Sequence, residues 1–379
     1  MTDRLTADFR PGGVVLVRAV DAEPRDLATV VRQLGQGAPS IPGDEPDITI
    51  RFVEAMPSSG TTRSIGLDDA AATDTDFLIL RGRQRSRARV AIPLDKAGTP
   101  LEIVCERTVR AVPLLVPLIN MAALAKGIVA IHASAVRLDD CGILIVGWSK
   151  GGKTETVLAL MRRGAEFVGD EWIYLHPDGR ATGLGEPIRI WDWQVAQLPW
   201  LAGIVGRRSR AALRVTTGAA GAVGVIRRIS GVRHTKLGSV LDRAEPIVRR
   251  QASIQVQPER LFPGLVRSEA RIDTVILASS SSVSETSIAP IDGTALVEPI
   301  VQSNRHERLD LIAAAAKFRF SFPDRPTTAI DAASDVERGL LGTLLAGKSG
   351  WRLDHPYPPT IEQLGDAVAA TLEGRCPAR

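Results

Sequence analysis

Residues 142–171 read GILIVGWSKGGKTETVLALMRRGAEFVGDE. The apolar run Ile143-Leu144-Ile145-Val146 is short and rich in β-branched residues, which predicts a buried strand rather than a helix. Next comes Gly147-Trp148-Ser149-Lys150-Gly151-Gly152-Lys153-Thr154, which satisfies the G-x-x-x-x-G-K-[ST] phosphate-loop pattern. Residues 155–163 then predict a helix stopped at Gly164. The order strand, loop, helix gives the pattern its meaning. Glycines let successive N–H groups turn inward on a polyphosphate, and the helix that follows points the positive end of its dipole at the same place. On this reading Gly147, Ser149, Lys150, Gly151, Gly152, Lys153, Thr154 and Glu155 are the candidate nucleotide-binding residues. Lys153 reaches phosphate oxygens and the Thr154 hydroxyl serves Mg²⁺.

A second stretch, Gly342-Thr343-Leu344-Leu345-Ala346-Gly347-Lys348-Ser349, satisfies the same pattern. What precedes it reads as helix, its interior is Leu-Leu-Ala, and Pro356 lies too close behind for a long helix to follow. It is expected to be a helix C-terminus with Gly347 as its cap, not a phosphate cradle.

The 379 residues suffice for two domains, or for one core with additions. A content of 44% hydrophobic and 24% charged residues places the chain among folded proteins rather than disordered ones. Cys105, Cys141 and Cys376 lie too far apart for a metal-ligand pattern or a disulfide framework, which predicts a reducing, cytoplasmic setting. The acidic N-terminus has no secretory character. The apolar stretch 111–125 is interrupted by Pro113 and Pro117, so a buried helix is expected there and not a membrane span. Net charge is +4, yet the arginines are scattered and only 4% of residues are aromatic, so nucleic acid is not an expected partner. A nucleotide or an acidic substrate would account for the charge.

Upstream, residues 1–105 read as short strands at 14–17, 47–53, 76–80 and 88–94 with one helix over 25–34, a small accessory α+β domain. Residues 118–126 predict a helix closed by Gly127, and 128–138 one continuous strand that turns at Asp139 and Asp140 into the phosphate-loop strand. His132 then lies on a strand beside the loop. It is either a satisfied core residue or a participant, and position does not separate the two. Residues 165–175 predict a strand, the adjacent carboxylates Asp170 and Glu171, and a second strand. Such a pair suits holding Mg²⁺ or taking a proton from a hydroxyl; the plain alternative is two exposed turn residues.

The Gly- and Arg-rich segment 203–231 reads as a surface insertion or as a loop closing over an acidic substrate. Residues 272–278 predict a buried strand, with Asp273 at the wrong end to serve a metal. Arg305, His306, Glu307 and Arg308 read as the charged start of a helix over 309–317, the alternative being that they face a nucleotide. Helices near 336–346 and over 361–372, joined by a Pro-rich link at 356–359, complete the chain.

Three blocks together resemble the HPr kinase/phosphorylase-like family: Ile131-His132-Ala133-Ser134-Ala135-Val136, the phosphate loop with Lys153-Thr154-Glu155, and Arg163-Gly164-Ala165-Glu166-Phe167-Val168-Gly169-Asp170-Glu171. They cover about 45 residues in the family's order. The resemblance implies an α/β fold with a P-loop kinase core of the phosphoenolpyruvate-carboxykinase-like type over 106–325, a small N-terminal α+β domain over 1–105 and a helical C-terminal extension over 326–379. It implies ATP and Mg²⁺, and transfer of the γ-phosphoryl group to a hydroxyl, serine being the family's acceptor. In the implied roles Lys153 neutralises phosphate charge, Thr154 ligates Mg²⁺ and Asp170 is the base. Glu171 assists the metal or the base, and His132 sits near the reacting phosphate. The family's Glu-Ile-Arg-Gly-Leu-Gly-like signature is echoed only loosely, in Gly183-Leu184-Gly185-Glu186-Pro187-Ile188-Arg189. This departure leaves reverse phosphorolysis and HPr itself aside, and the chain looks more like family relatives that serve peptide-tailoring clusters. The acceptor is a peptide, a protein or a small molecule. A nucleotide-binding regulator without catalysis is the alternative, and homo-oligomer formation stays open.

Overall fold

A computed structural model describes residues 4–56, 61–66, 69–80, 88–206, 211 and 253–373 of the chain. It is a mixed α/β structure with several mixed sheets. The apolar run after Cys141 forms the strand Cys141–Val146, buried along its whole length. It lies inside a six-stranded sheet, antiparallel to Ala133–Leu138 on one side and parallel to Thr274–Ser280 on the other. A strand covered on both faces needs apolar side chains at every position, and here they alternate between two cores. Leu144 and Val146 join the core shared with the N-terminal residues. Ile143 and Ile145 pack with Val157, Leu158 and Leu160 of the helix Lys153–Met161.

The remaining strands of this sheet are Glu166–Gly169 at one edge and, on the far side of Thr274–Ser280, Ser349–His355 and then Ser287–Asp292. The strand Ser349–His355 is a departure from the sequence reading. Residues 326–379, expected as a helical extension, carry the helices Thr328–Leu345 and Ile361–Leu372 with this strand between them, paired in parallel with Thr274–Ser280. Gly347, at φ +71°, makes the reversal just past the first helix. Ile361–Leu372 packs on Lys153–Met161, and Gly365 permits the approach: a Cβ there would lie 3.0 Å from the Ala159 Cβ.

The segment 128–138 is not one strand. Val129–Ile131 belongs to a four-stranded antiparallel sheet with Ile173–Leu175, Arg180–Gly183 and Glu269–Arg271, whereas Ala133–Leu138 belongs to the six-stranded sheet. The chain changes sheets at His132. It changes sheets a second time between Glu166–Gly169 and Ile173–Leu175, at Asp170, Glu171 and Trp172. The two crossings run side by side, joined by the Ala133 N–H bonded to the Glu171 carbonyl at 3.2 Å.

Residues 5–106 build an eight-stranded sheet from Leu5–Phe9 to Leu101–Glu106, with the helix Pro24–Leu34 beside it. Its residues Phe9, Ile48, Ile50 and Phe52 share one apolar core with Ile131, Tyr174 and Leu144. The chain approaches closely there: Gly12, at φ +60°, leaves no room for a side chain, since a Cβ would fall 2.3 Å from the Tyr174 ring. The helix expected from residue 118 begins earlier, as Leu115–Ala125, with Pro117 in its first turn, where backbone N–H groups have no intrahelical partner to lose. Among the described residues no helix is long and apolar enough to cross a membrane.

Two further differences and one agreement concern individual residues. Arg305, His306 and Glu307 end the helix Val297–Glu307 rather than opening the next one, Leu309–Ser321. Cys141 is disulfide-bonded, against the expectation that the cysteines stay unpaired. Asp273 accepts the Gly142 N–H at 2.9 Å, at the end of its strand remote from the loop, which gives it a structural partner. The Arg-rich segment 203–231 lies, apart from residues 203–206 and 211, outside the described residues.

Candidate active site

The loop between Val146 and Lys153 rests on the ends of two neighbouring strands. Gly147 has to be glycine because a Cβ would come 2.4 Å from the Ala278 carbonyl oxygen. Lys153 opens the helix Lys153–Met161 and folds its ammonium back onto the loop, 3.0 Å from the Gly147 carbonyl and 3.1 Å from that of Trp148. Burial holds this ammonium below the usual lysine range, while Asp170 and Glu171 pull it the other way. Lys150 takes a left-handed conformation, φ +64°, that side-chain-bearing residues seldom adopt.

Thr154, the next helical residue, donates its hydroxyl to Asp170 Oδ2 at 2.9 Å. The other oxygen of Asp170 takes the hydroxyl of Ser134, one strand over. Asp170 is 6% exposed, and burial, reinforced by the charge of Glu171, pushes its carboxyl up to about 6. Glu171 differs in every respect. It is left-handed, φ +69°, and partly exposed, and its bond to His132 holds it below the usual carboxylate range. Two adjacent carboxyls are thus driven apart, one towards the neutral form and one towards the charged form, which is how neighbouring acids acquire different roles. Glu155 is held by Gln194, whose amide donates to it at 2.7 Å.

His132 lies between two carboxylates. Nε2 is 3.3 Å from Glu171 Oε2, and Nδ1 is 3.3 Å from Glu307 Oε1, within ion-pair range but off the direction of a hydrogen bond. Its backbone N–H donates to Asn304 Oδ1 at 3.1 Å, and the Asn304 amide donates to the Ala130 carbonyl at 2.8 Å. Asn304 therefore stands where a further strand would pair with the edge of Val129–Ile131. Asn304→Ala would leave a buried N–H and a buried C=O unsatisfied. A loss of about 1–3 kcal/mol in urea unfolding is expected, and an unchanged midpoint would refute this role of Asn304 at the strand edge.

The structure brings together His132, Lys153, Thr154, Asp170 and Glu171; it adds Ser303 and Asn304, which the sequence reading passed over, and it draws in His306 and Glu307, whose plainer reading was a charged helix start. The helix Val297–Glu307 forms a third wall. Ser303 reaches the Gly147 carbonyl at 3.4 Å, Asn304 and Glu307 flank His132, and His306 packs on Trp148 with ring centroids 4.7 Å apart. No motif marks Ser303 or Asn304; the charged run 305–308 beside them was the one signal pointing to this wall. Glu186 is a further case. Burial, followed by the charges of Glu171 and Asp170, pushes its carboxyl up to about 8, so this residue of the loosely matching segment 183–189 lies within electrostatic reach of the pair. Among the described residues no three His, Cys, Asp or Glu side chains converge as a metal cage. The donors present, one hydroxyl and one or two carboxylates, fit Mg²⁺, which keeps waters and takes its remaining ligands from substrate phosphates.

Comparison with known proteins gives a distant relationship. A stretch of 115 residues, 30% of this chain, is 30% identical to an HPr kinase/phosphorylase of Shouchella clausii and covers 36% of that protein. A stretch of 96 residues is 27% identical to an HPr kinase/phosphorylase of Lactobacillus delbrueckii subsp. bulgaricus, covering 30% of it. The matches thus span about a third of these relatives' own length. No family model matches the chain.

Proposed function

We propose that this chain is an ATP-dependent phosphotransferase that moves the γ-phosphoryl group to a hydroxyl, serine being the favoured acceptor, of a peptide, protein or biosynthetic intermediate. The observation that carries the reading is the Thr154–Asp170 contact. It joins the first hydroxyl after the glycine loop to a buried carboxyl whose proton affinity lies close to neutrality. A binder of nucleotide needs the loop, but it has no use for a base poised there.

In this reading the backbone of residues 147–152 receives the phosphates, and Lys153 exchanges its two carbonyl partners for phosphate oxygens. Thr154 and Asp170, with Glu171 beside them, would hold Mg²⁺, which supplies charge neutralisation across the phosphates. Asp170 accepts the proton of the acceptor hydroxyl. The acceptor oxygen forms its bond to the γ-phosphorus as the bond from that phosphorus to the β,γ-bridging oxygen breaks, and ADP leaves with that electron pair. His132, oriented by Asn304 and flanked by Glu171 and Glu307, lies beside the transferred group. Phosphoryl transfer needs positioning and charge compensation above all, and these residues supply both.

The deciding assay is mass spectrometry of candidate peptides and metabolites after incubation with Mg²⁺-ATP, run beside Lys153→Ala. One added phosphate, lost by at least about 100-fold in the variant, is the expected result, in keeping with removal of a charge-stabilising group. Nucleotide binding by the wild type with neither transfer nor hydrolysis would instead identify a nucleotide-binding regulator.

A further inference from the structure

The second copy of the phosphate-loop pattern binds nothing in the reading above, yet the strand it leads into ends directly beneath the first copy. His355, the last residue of Ser349–His355, is 0% exposed. Its Nε2 lies 2.9 Å from the Gly151 carbonyl oxygen and its Nδ1 2.8 Å from that of Pro356. The ring can come this close because residue 152 is glycine: a Cβ there would meet Nε2 at 2.4 Å. A carbonyl oxygen only accepts, so the two contacts are made together only by the imidazolium; the neutral ring protonated on Nε2 keeps the bond to Gly151 and gives up that to Pro356.

This bond controls more than one atom. In a trans peptide the C=O of one residue and the N–H of the next point in opposite directions from one rigid plane. Holding the Gly151 carbonyl down onto His355 therefore turns the Gly152 N–H away from the ring, toward the concave side of the loop. Two glycines in succession would otherwise leave that plane free to rotate. The adjoining strand end is equally well tied, since the Ser281 N–H donates to the His355 carbonyl at 2.9 Å.

We propose that His355 is a positioning residue for phosphate binding: it fixes the Gly151–Gly152 peptide so that its N–H faces a bound polyphosphate. The inference rests on the nucleotide-binding reading and deepens it. It also gives the C-terminal strand a task at the site, since residues 349–355 deliver the side chain.

The test measures Kd for inorganic tripolyphosphate and for ATP by calorimetry on the full chain, with thermal midpoints alongside. His355→Phe fills the space without a donor, and binding of both ligands is expected to weaken about tenfold, the size of one lost hydrogen bond. His355→Gln carries an amide N–H that reaches the Gly151 carbonyl, and it is expected to remain within about threefold of the wild type. His355→Asn, too short to reach but no larger than the space, carries the same expectation as His355→Phe should the latter not fold. In transfer assays KM for ATP should rise with little change in kcat. Wild-type affinity in both His355→Phe and His355→Asn, or equal weakening in the Gln and Asn variants, would overturn the proposal. A wild type that binds neither ligand would overturn the nucleotide reading on which it stands.

Discussion

Asp170→Asn is expected to lower phosphoryl transfer by about 10²–10⁴-fold, the usual contribution of a positioned general base, while nucleotide still binds. The same substitution should stabilise the metal-free protein at neutral pH. Asp170 is buried between Ser134 and Thr154, and its carboxyl is raised from 3.8 to about 6. For a raised acid the folded state holds its proton more tightly than the unfolded chain does. The stabilisation is thus complete below about pH 4 and is lost as pH rises through about 6. Two pKa units correspond to about 3 kcal/mol, an order-of-magnitude figure. Urea unfolding should therefore show wild type falling behind Asp170→Asn between pH 4 and 7, with both nearly equal at pH 4. A variant that transfers phosphate at the wild-type rate would remove Asp170 from the role of base, and parallel stability curves would remove its buried charge.

Glu337→Ala is expected to have the largest effect on stability, about 3–5 kcal/mol, because it strands a buried cation. Arg308 and Glu337 are 6% and 3% exposed and face each other through two nitrogen–oxygen contacts, one of them at 2.9 Å. Arg308 directly follows the helix Val297–Glu307, so the pair clamps the wall that carries Ser303, Asn304, His306 and Glu307 to the helix Thr328–Leu345. Replacing both partners, Arg308→Met with Glu337→Leu, should cost much less than the single change, since no charge is then left without its counterpart. Equal losses in the single and double variants would mean that packing, not charge pairing, holds this joint.

These two positions differ in how far they could be read from the chain. Asp170 was accessible from its neighbourhood, as a carboxylate shortly after a glycine loop and at the end of an apolar run. Glu337 was not, because inside a helix it resembles any solvated glutamate until the partner 29 residues away is known. The same contrast runs through the site. His132 carried no local sign that the chain changes sheets there, since the alternating pattern of residues 128–138 continues across the break. The strand Ser349–His355 contains glycine and aspartate, poor strand formers, and it exists because Thr274–Ser280 offers a paired edge along its whole length.

Chain-local chemistry is enough to specify the strand, loop and helix of residues 141–161. The β-branched run, the glycines and the helix stop act within a few residues of one another, so their effects can be summed along the sequence. What encloses the loop was decided by folding in three dimensions: His355 beneath Gly151, Asn304 beside His132, and Ser134 against Asp170 come from segments up to 204 residues apart. A buried polar group must find a partner, and which partner it finds follows from the order of strands in the sheets, not from its neighbours in the chain.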